Sequence, residues 1–198
     1  MSSPDPVHRP GADGADRPGS ASPSEGLTLR VPSAGDAVEW DRLFHDPAVM
    51  RHVGTGQLRD LAWYEAFAAR QRELAERTGL CIFTVVVGGV VAGFTGIQPW
   101  PQDWGPVGTP EIGWRLGRAF WGRGHATTAA RGVVRLAREH GVERVVALVH
   151  AENTRSVAVA RRLGMTRERV HVPPGLGRVH EFGLTLGSRA PAVRGRCR

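Results

Sequence analysis

EIGWRLGRAFWGRGHATT, residues 111–128, joins three local signals in eighteen residues. Ile112 to Leu116 is an apolar-rich run that reads as a strand. A short basic segment follows, then the tight loop Trp121-Gly122-Arg123-Gly124-His125-Ala126-Thr127, and a helical pattern begins at once. Glycines at 122 and 124 let the backbone fold closely, so that several amide N–H groups share one concavity. The helix adds its own unpaired N–H groups and the positive end of its dipole. Such a loop suits a phosphate or pyrophosphate.

Two common phosphate-binding readings fail on the residues. A Walker loop needs Gly-Lys-Ser/Thr, and the chain has no lysine at all. A dinucleotide fingerprint wants a third glycine where Thr127 stands, and the acid after the next strand, Glu152, comes late.

Working outward, Leu27 to Val31 alternates as a first strand, and Asp36 with Glu39 forms a capping-box-like helix start. Trp40, Leu43 and Phe44 supply one helical face, and Asp46-Pro47 breaks that helix. A second helix is expected from about Gln57 to Thr78, closed by Gly79. The β-branched runs Cys81–Val87 and Val90–Ile97, joined by Gly88-Gly89, predict a hairpin. After the glycine loop come a helix to about His140, a strand at Arg144–Val149 and a helix opened by Asn153. Two strands, near Met165–Val172 and Val179–Leu186, end the pattern. The order predicts an α/β domain with a mixed sheet, in which the strands flanking the 117–143 crossover are parallel.

Composition narrows the class. The 198 residues, 41% hydrophobic, suit one domain. Residues 1–26 are rich in Pro, Gly, Ser and Asp and are expected to be a disordered tail. Residues 27–187 form the domain, and 188–198 an Arg-rich tail. No apolar run is long enough to span a bilayer, and the N-terminus lacks the pattern of a secretory signal, so a cytoplasmic protein without membrane partners is expected. Cys81 and Cys197 suggest neither a disulfide framework nor a metal site. All 26 basic residues are arginine, for a net charge of +7. Residues 27–188 hold 20 Arg against 15 acids, a modest excess without aromatic interleaving. That fits a small anionic ligand, and nucleic acid is not the expected partner.

Several of these pieces, in order and at suitable spacing, resemble the GCN5-related N-acetyltransferase (GNAT) superfamily. They are Glu111-Ile112-Gly113-Trp114, Leu116-Gly117-Arg118, the 121–127 loop, Asn153-Thr154-Arg155-Ser156 and Arg162-Leu163-Gly164-Met165, with Asp46-Pro47-Ala48-Val49 upstream. The branch resembled includes the ribosomal-protein N-terminal alanine acetyltransferases. The resemblance implies the acyl-CoA N-acyltransferase fold: a mixed, mostly antiparallel sheet with a splayed parallel pair and flanking helices. It also implies a metal-free enzyme that moves an acetyl group from acetyl-CoA to a primary amine. The acceptor is either a protein N-terminal amine or a small-molecule amine, and the protein a monomer or homodimer. By resemblance, the backbone of Trp114, Arg115 and Leu116 pairs with the pantetheine arm. The amides of Gly122, Arg123, Gly124, His125, Ala126 and Thr127 hold the pyrophosphate.

Acetyl transfer needs a neutral amine, a polarised carbonyl and a proton for the departing thiolate. Glu111, beside the implied cofactor arm, is a candidate base or else a structural carboxylate. Many family members protonate the thiolate with a tyrosine after the fifth strand. Here the only tyrosine is Tyr64, expected in the core. Ser156 is the hydroxyl in the matching region, as proton donor or as a cofactor contact. Asn153 is a helix cap, a cofactor contact, or both. His150, Glu152, Trp100, Asp103 and Trp104 are candidates for the acceptor side. The missing tyrosine leaves a second reading, a non-catalytic acyl-CoA-binding or regulatory protein on the same fold.

Overall fold

The computed structural model describes residues 26–187. The two expected tails fall outside these residues, apart from Gly26. The chain opens with β1 (Leu27–Arg30), α1 (Asp36–Phe44), the short α2 (Pro47–Met50) and α3 (Leu61–Thr78). The hairpin β2 (Ile82–Val87) and β3 (Val90–Pro99) and the strand β4 (Pro110–Leu116) follow. A 3-10 turn at Arg118–Phe120 leads to α4 (His125–Glu139), β5 (Arg144–His150) and α5 (Thr154–Arg162), and the chain closes with β6 (Thr166–His171) and β7 (Val179–Thr185). The strands form one seven-stranded sheet in the order β1-β2-β3-β4-β5-β7-β6. Every neighbouring pair is antiparallel except β4 with β5. This is the mixed sheet with one parallel pair that the sequence predicts.

Turn chemistry sets the hairpin register. Gly88 and Gly89 both have positive φ, 57° and 80°, the combination whose twist matches the flanking strands. Alternation then sorts the side chains by face. On one face, Trp40, Phe44, Tyr64 and Phe67 from α1 and α3 pack on Phe94 of β3. The Trp40 and Phe44 rings meet Phe94 edge-on at 5.3 and 5.1 Å. On the other, Ala130, Val133, Ala137 and Ala160 of α4 and α5 cover Ile97, Ile112, Val145 and Ala147. Gln71, a buried polar residue of α3, accepts from the Ile82 N–H at 2.8 Å and donates to Gln98 at 2.9 Å, which ties α3 to β2 and β3.

Three local expectations need correction. Gly35, not Asp36, caps α1. The Asp36 carboxylate turns instead to Arg30, the Ser33 N–H and the Thr84 hydroxyl, because a buried charge is stable only when paired. Asp46-Pro47 ends one helix but also begins another: Asp46 accepts from the Ala48 N–H, and Pro47 takes the first position of α2, where it needs no N–H donor. The third helix starts at Leu61 rather than Gln57, since Asp60 accepts from the Trp63 N–H at 2.8 Å and so sets the N-cap.

Candidate active site

Among the described residues β4 and β5 are the only parallel neighbours, and their ladder is the sparsest in the sheet. Seven residue pairs join β3 to β4, and seven join β5 to β7. Between β4 and β5 the one register pair is Glu111 with Val146. Beyond it the strands diverge, so the inner backbone edges of Gly113–Leu116 and Leu148–His150 border a wedge. The wedge opens at the C-terminal ends of both strands, the usual ligand position in such sheets.

The glycine loop lies at that end. Gly122 and Gly124 have φ of 76° and 80°, and both are exposed along with Arg123. Gly124 caps α4 without a side-chain acceptor, and the Thr128 N–H is the first to bond back, to the Gly124 carbonyl at 3.0 Å. The amides of His125, Ala126 and Thr127 therefore have no helical acceptor. The side chains of His125 and Thr127 are buried. An uncapped helix start behind two left-handed glycines fits a diphosphate, and a bare strand edge fits a chain of amides such as a pantetheine arm.

Glu111, Gly113 and Arg115 share the face of β4 that looks toward α1 and α3. A Cβ at Gly113 would lie 3.7 Å from both Glu111 carboxylate oxygens, an ordinary van der Waals distance, so the carboxylate lies directly over Gly113. Glu111 keeps some solvent contact, yet burial pushes its pKa up to about 7 against the opposing charge of Arg115. A carboxyl that ionises near neutrality is suited to proton transfer.

Trp114 points to the opposite face, where its indole N–H donates to Ser156 Oγ at 3.2 Å. Asn153 caps α5 by accepting from the Ser156 N–H at 3.1 Å. The structure thus joins Trp114, Ser156 and Asn153 in one hydrogen-bonded group across the wedge, with Glu111 on the other side of the sheet. Because Ser156 Oγ accepts from Trp114, its own proton remains available. A second contact spans the gap: the Arg155 guanidinium stacks 4.7 Å from the Trp121 ring, whose N–H donates to the Leu116 carbonyl.

On the Glu111 side, His150 ends β5, and its ring lies 5.0 Å from that of His52. Ligand atoms of His52, His150 and Glu152 fall within 4.8 Å of one another. The Glu152 N–H donates to His150 Nδ1, however, which commits that lone pair and places the imidazole proton on Nε2. A cavity of about 550 Å³ bounded by His150, Glu152, Gly177 and Arg178 adjoins them. Trp100 and Trp104 pack edge-on at 5.0 Å, and Trp104 lies 5.8 Å from His171 at the end of β6, which braces the long loop against the sheet. Sequence reasoning missed the His52 contact and the side-chain environment of Arg115. The shared parity of residues 111 and 115 was a legible signal for the second, whereas nothing local marked the first.

A family model described as an acetyltransferase (GNAT) domain matches residues 26–166. An uncharacterised N-acetyltransferase, p20 of Bacillus licheniformis, is 26% identical over 152 residues, covering 73% of this chain and 82% of that protein. Among solved structures, the RimL ribosomal L7/L12 α-N-protein acetyltransferase in complex with coenzyme A superposes with a TM-score of 0.70. It is 19% identical, and the match covers 82% of this chain and 95% of that one. The structure of yncA of Salmonella typhimurium with its cofactor acetyl-CoA superposes at 0.63, with 21% identity over 87% of this chain and 100% of that one.

Proposed function

The chain belongs to the GNAT acetyltransferase family, and from that premise we propose that it transfers the acetyl group of acetyl-CoA to a primary amine, either a protein N-terminus or a small molecule. The observation that carries the reading is the wedge: a parallel pair joined at Glu111–Val146 alone, opening onto an uncapped helix start behind Gly122 and Gly124. The backbone edge of Trp114 to Leu116 would hold the pantetheine arm, and the amides of residues 122–127 the pyrophosphate, with Arg123 adding charge. Bound acetyl-CoA supplies an activated thioester.

Glu111 takes a proton from the incoming ammonium. An α-amine, with a pKa of about 7.7–8.0, yields it to a carboxylate that titrates near 7 far more readily than a lysine would, at about 10.4. The proton shed as the attacking nitrogen becomes an amide goes to the departing thiolate, to which the Ser156 hydroxyl can donate a hydrogen bond, and Trp114 and the Asn153 cap fix that hydroxyl's position. A backbone N–H of the splayed strand polarises the carbonyl.

The test is calorimetric titration with acetyl-CoA, desulfo-CoA and NADH, followed by thiol release across a panel of amines. Micromolar binding of the CoA compounds alone, with amine-dependent thiol release, supports transfer. Binding of NADH, or of no CoA compound, overturns it.

A further inference from the structure

Arg115 is the unexplained charge of the site. Its guanidinium carbon lies 5.0 Å from the centre of the Phe94 ring and 5.3 Å from that of Phe44, so the cation is held between two aromatic side chains. Among the described residues it makes no salt bridge and its guanidinium makes no hydrogen bond. Beside it stands Tyr64, 1% exposed, its ring 5.9 Å from Phe44. Tyr64 Oη is buried without a hydrogen-bond partner. The guanidinium lies beside the phenol, near enough for each to perturb the other's ionisation, and neither has an anionic partner among the described residues.

A half-buried cation without an anion and a buried hydroxyl without a hydrogen-bond partner are two costs the fold has left standing. Stacking on aromatic rings recovers only part of the desolvation of a guanidinium. One group relieves both at once: a planar oxyanion that accepts from the guanidinium fork and from the phenol. Glu111 is not that group. It shares the face of β4 with Arg115, but four residues along a strand set their backbones about 13 Å apart, and its carboxyl remains one that ionises only near neutrality. We propose that Arg115 and Tyr64 form a carboxylate subsite for the acceptor, so that the amine acetylated is a free amino acid or a similar small amine bearing a carboxylate. The amine end then lies toward Glu111 and the carboxylate end toward Arg115, both on the α1 and α3 face of the wedge. A polypeptide N-terminus carries no carboxylate beside its amine and would leave the subsite unfilled.

The assignment rests on the reading of the protein as an amine acetyltransferase, and the experiment separates the two. Acetyl-CoA affinity is measured by calorimetry, and thiol release is followed with the twenty L-amino acids, their carboxamides and an N-terminal peptide amine. The wild-type protein is expected to use at least one amino acid about tenfold or more better, in kcat/KM, than its carboxamide. Arg115→Met, which keeps the volume and loses the charge, brings that ratio close to one, and Tyr64→Phe lowers it several-fold. A purely structural role would reduce stability in both variants and leave the acid-to-amide ratio where it was, which overturns the subsite. Carboxamides or the peptide used as well as the acids also overturn it while leaving acetyl transfer intact. So does acetyl-CoA binding with no amino acid turned over. Failure of the wild-type protein to bind acetyl-CoA sinks the underlying reading, and the subsite with it.

Discussion

Glu111 combines a chemical role with a physical cost. Its carboxyl titrates near 7 in the folded chain, against 4.5 for an ordinary glutamate. As the base it must be ionised, so the wild-type rate is expected to rise with pH through about 7. Glu111→Gln should lose about 100-fold in turnover and lose that limb of the profile, while binding acetyl-CoA as before. Wild-type activity in this variant would make Glu111 a bystander. A carboxyl whose folded pKa is raised contributes stability that is present below 4.5 and lost as pH climbs through 7. Urea unfolding should therefore find the Gln variant more stable at pH 8, by about 1–2 kcal/mol once residual solvent contact is allowed for, and equal at pH 4. Asp36 behaves oppositely. Burial alone would raise its pKa, but Arg30, Thr84 and Ser33 together hold it below the usual range. Asp36→Ala should cost about 2–4 kcal/mol in the same measurement, because it strands the Thr84 hydroxyl and the Ser33 N–H. Glu111 as a candidate was legible from its place before an apolar strand. Its ionisation was not, since that follows from what α3 and β3 pack around it.

At the scale of elements, the glycine loop was readable because its demands are local. Positive φ at residues 122 and 124 requires glycine, and a helix start needs no tertiary partner to expose its amides. Gly124→Glu should raise the acetyl-CoA dissociation constant at least about 100-fold, since it forces a side chain into the left-handed region and sets a carboxylate against a diphosphate. Unchanged affinity would take the loop out of the site. Where the reading slipped, long-range or competing capping was the reason. Asp36 looked like a cap but is drawn to Thr84, 48 residues away. The start of α3 slid four residues to Leu61, because the side chain of Asp60 offers the backbone an acceptor.

For the molecule as a whole, the helices clamp a sheet that is split down its middle. Among the described residues, Trp114 with Ser156 and Trp121 with Arg155 are polar and cation–aromatic side-chain pairs that cross the split. A ligand seated there binds the folded chain alone, so acetyl-CoA at 100 times its dissociation constant should add about 2.7 kcal/mol of stability. For a domain of this size that is roughly 5–11 °C in a thermal scan, and desulfo-CoA should do nearly the same. NADH should leave the midpoint where it is. A scan indifferent to both CoA compounds would count against the wedge as their site. The order of strands and helices, the parallel pair, the hairpin and the anion-ready loop were all set by residues close in sequence, because periodicity, turn geometry and capping act over a few positions. Tertiary structure alone decided how far β4 and β5 part, that Glu111 and Ser156 face each other across the sheet, and that Arg115 meets Tyr64. Those facts depend on the packing of segments that lie far apart in the chain, where dielectric, parity and distance are properties of the assembled fold and of no single stretch.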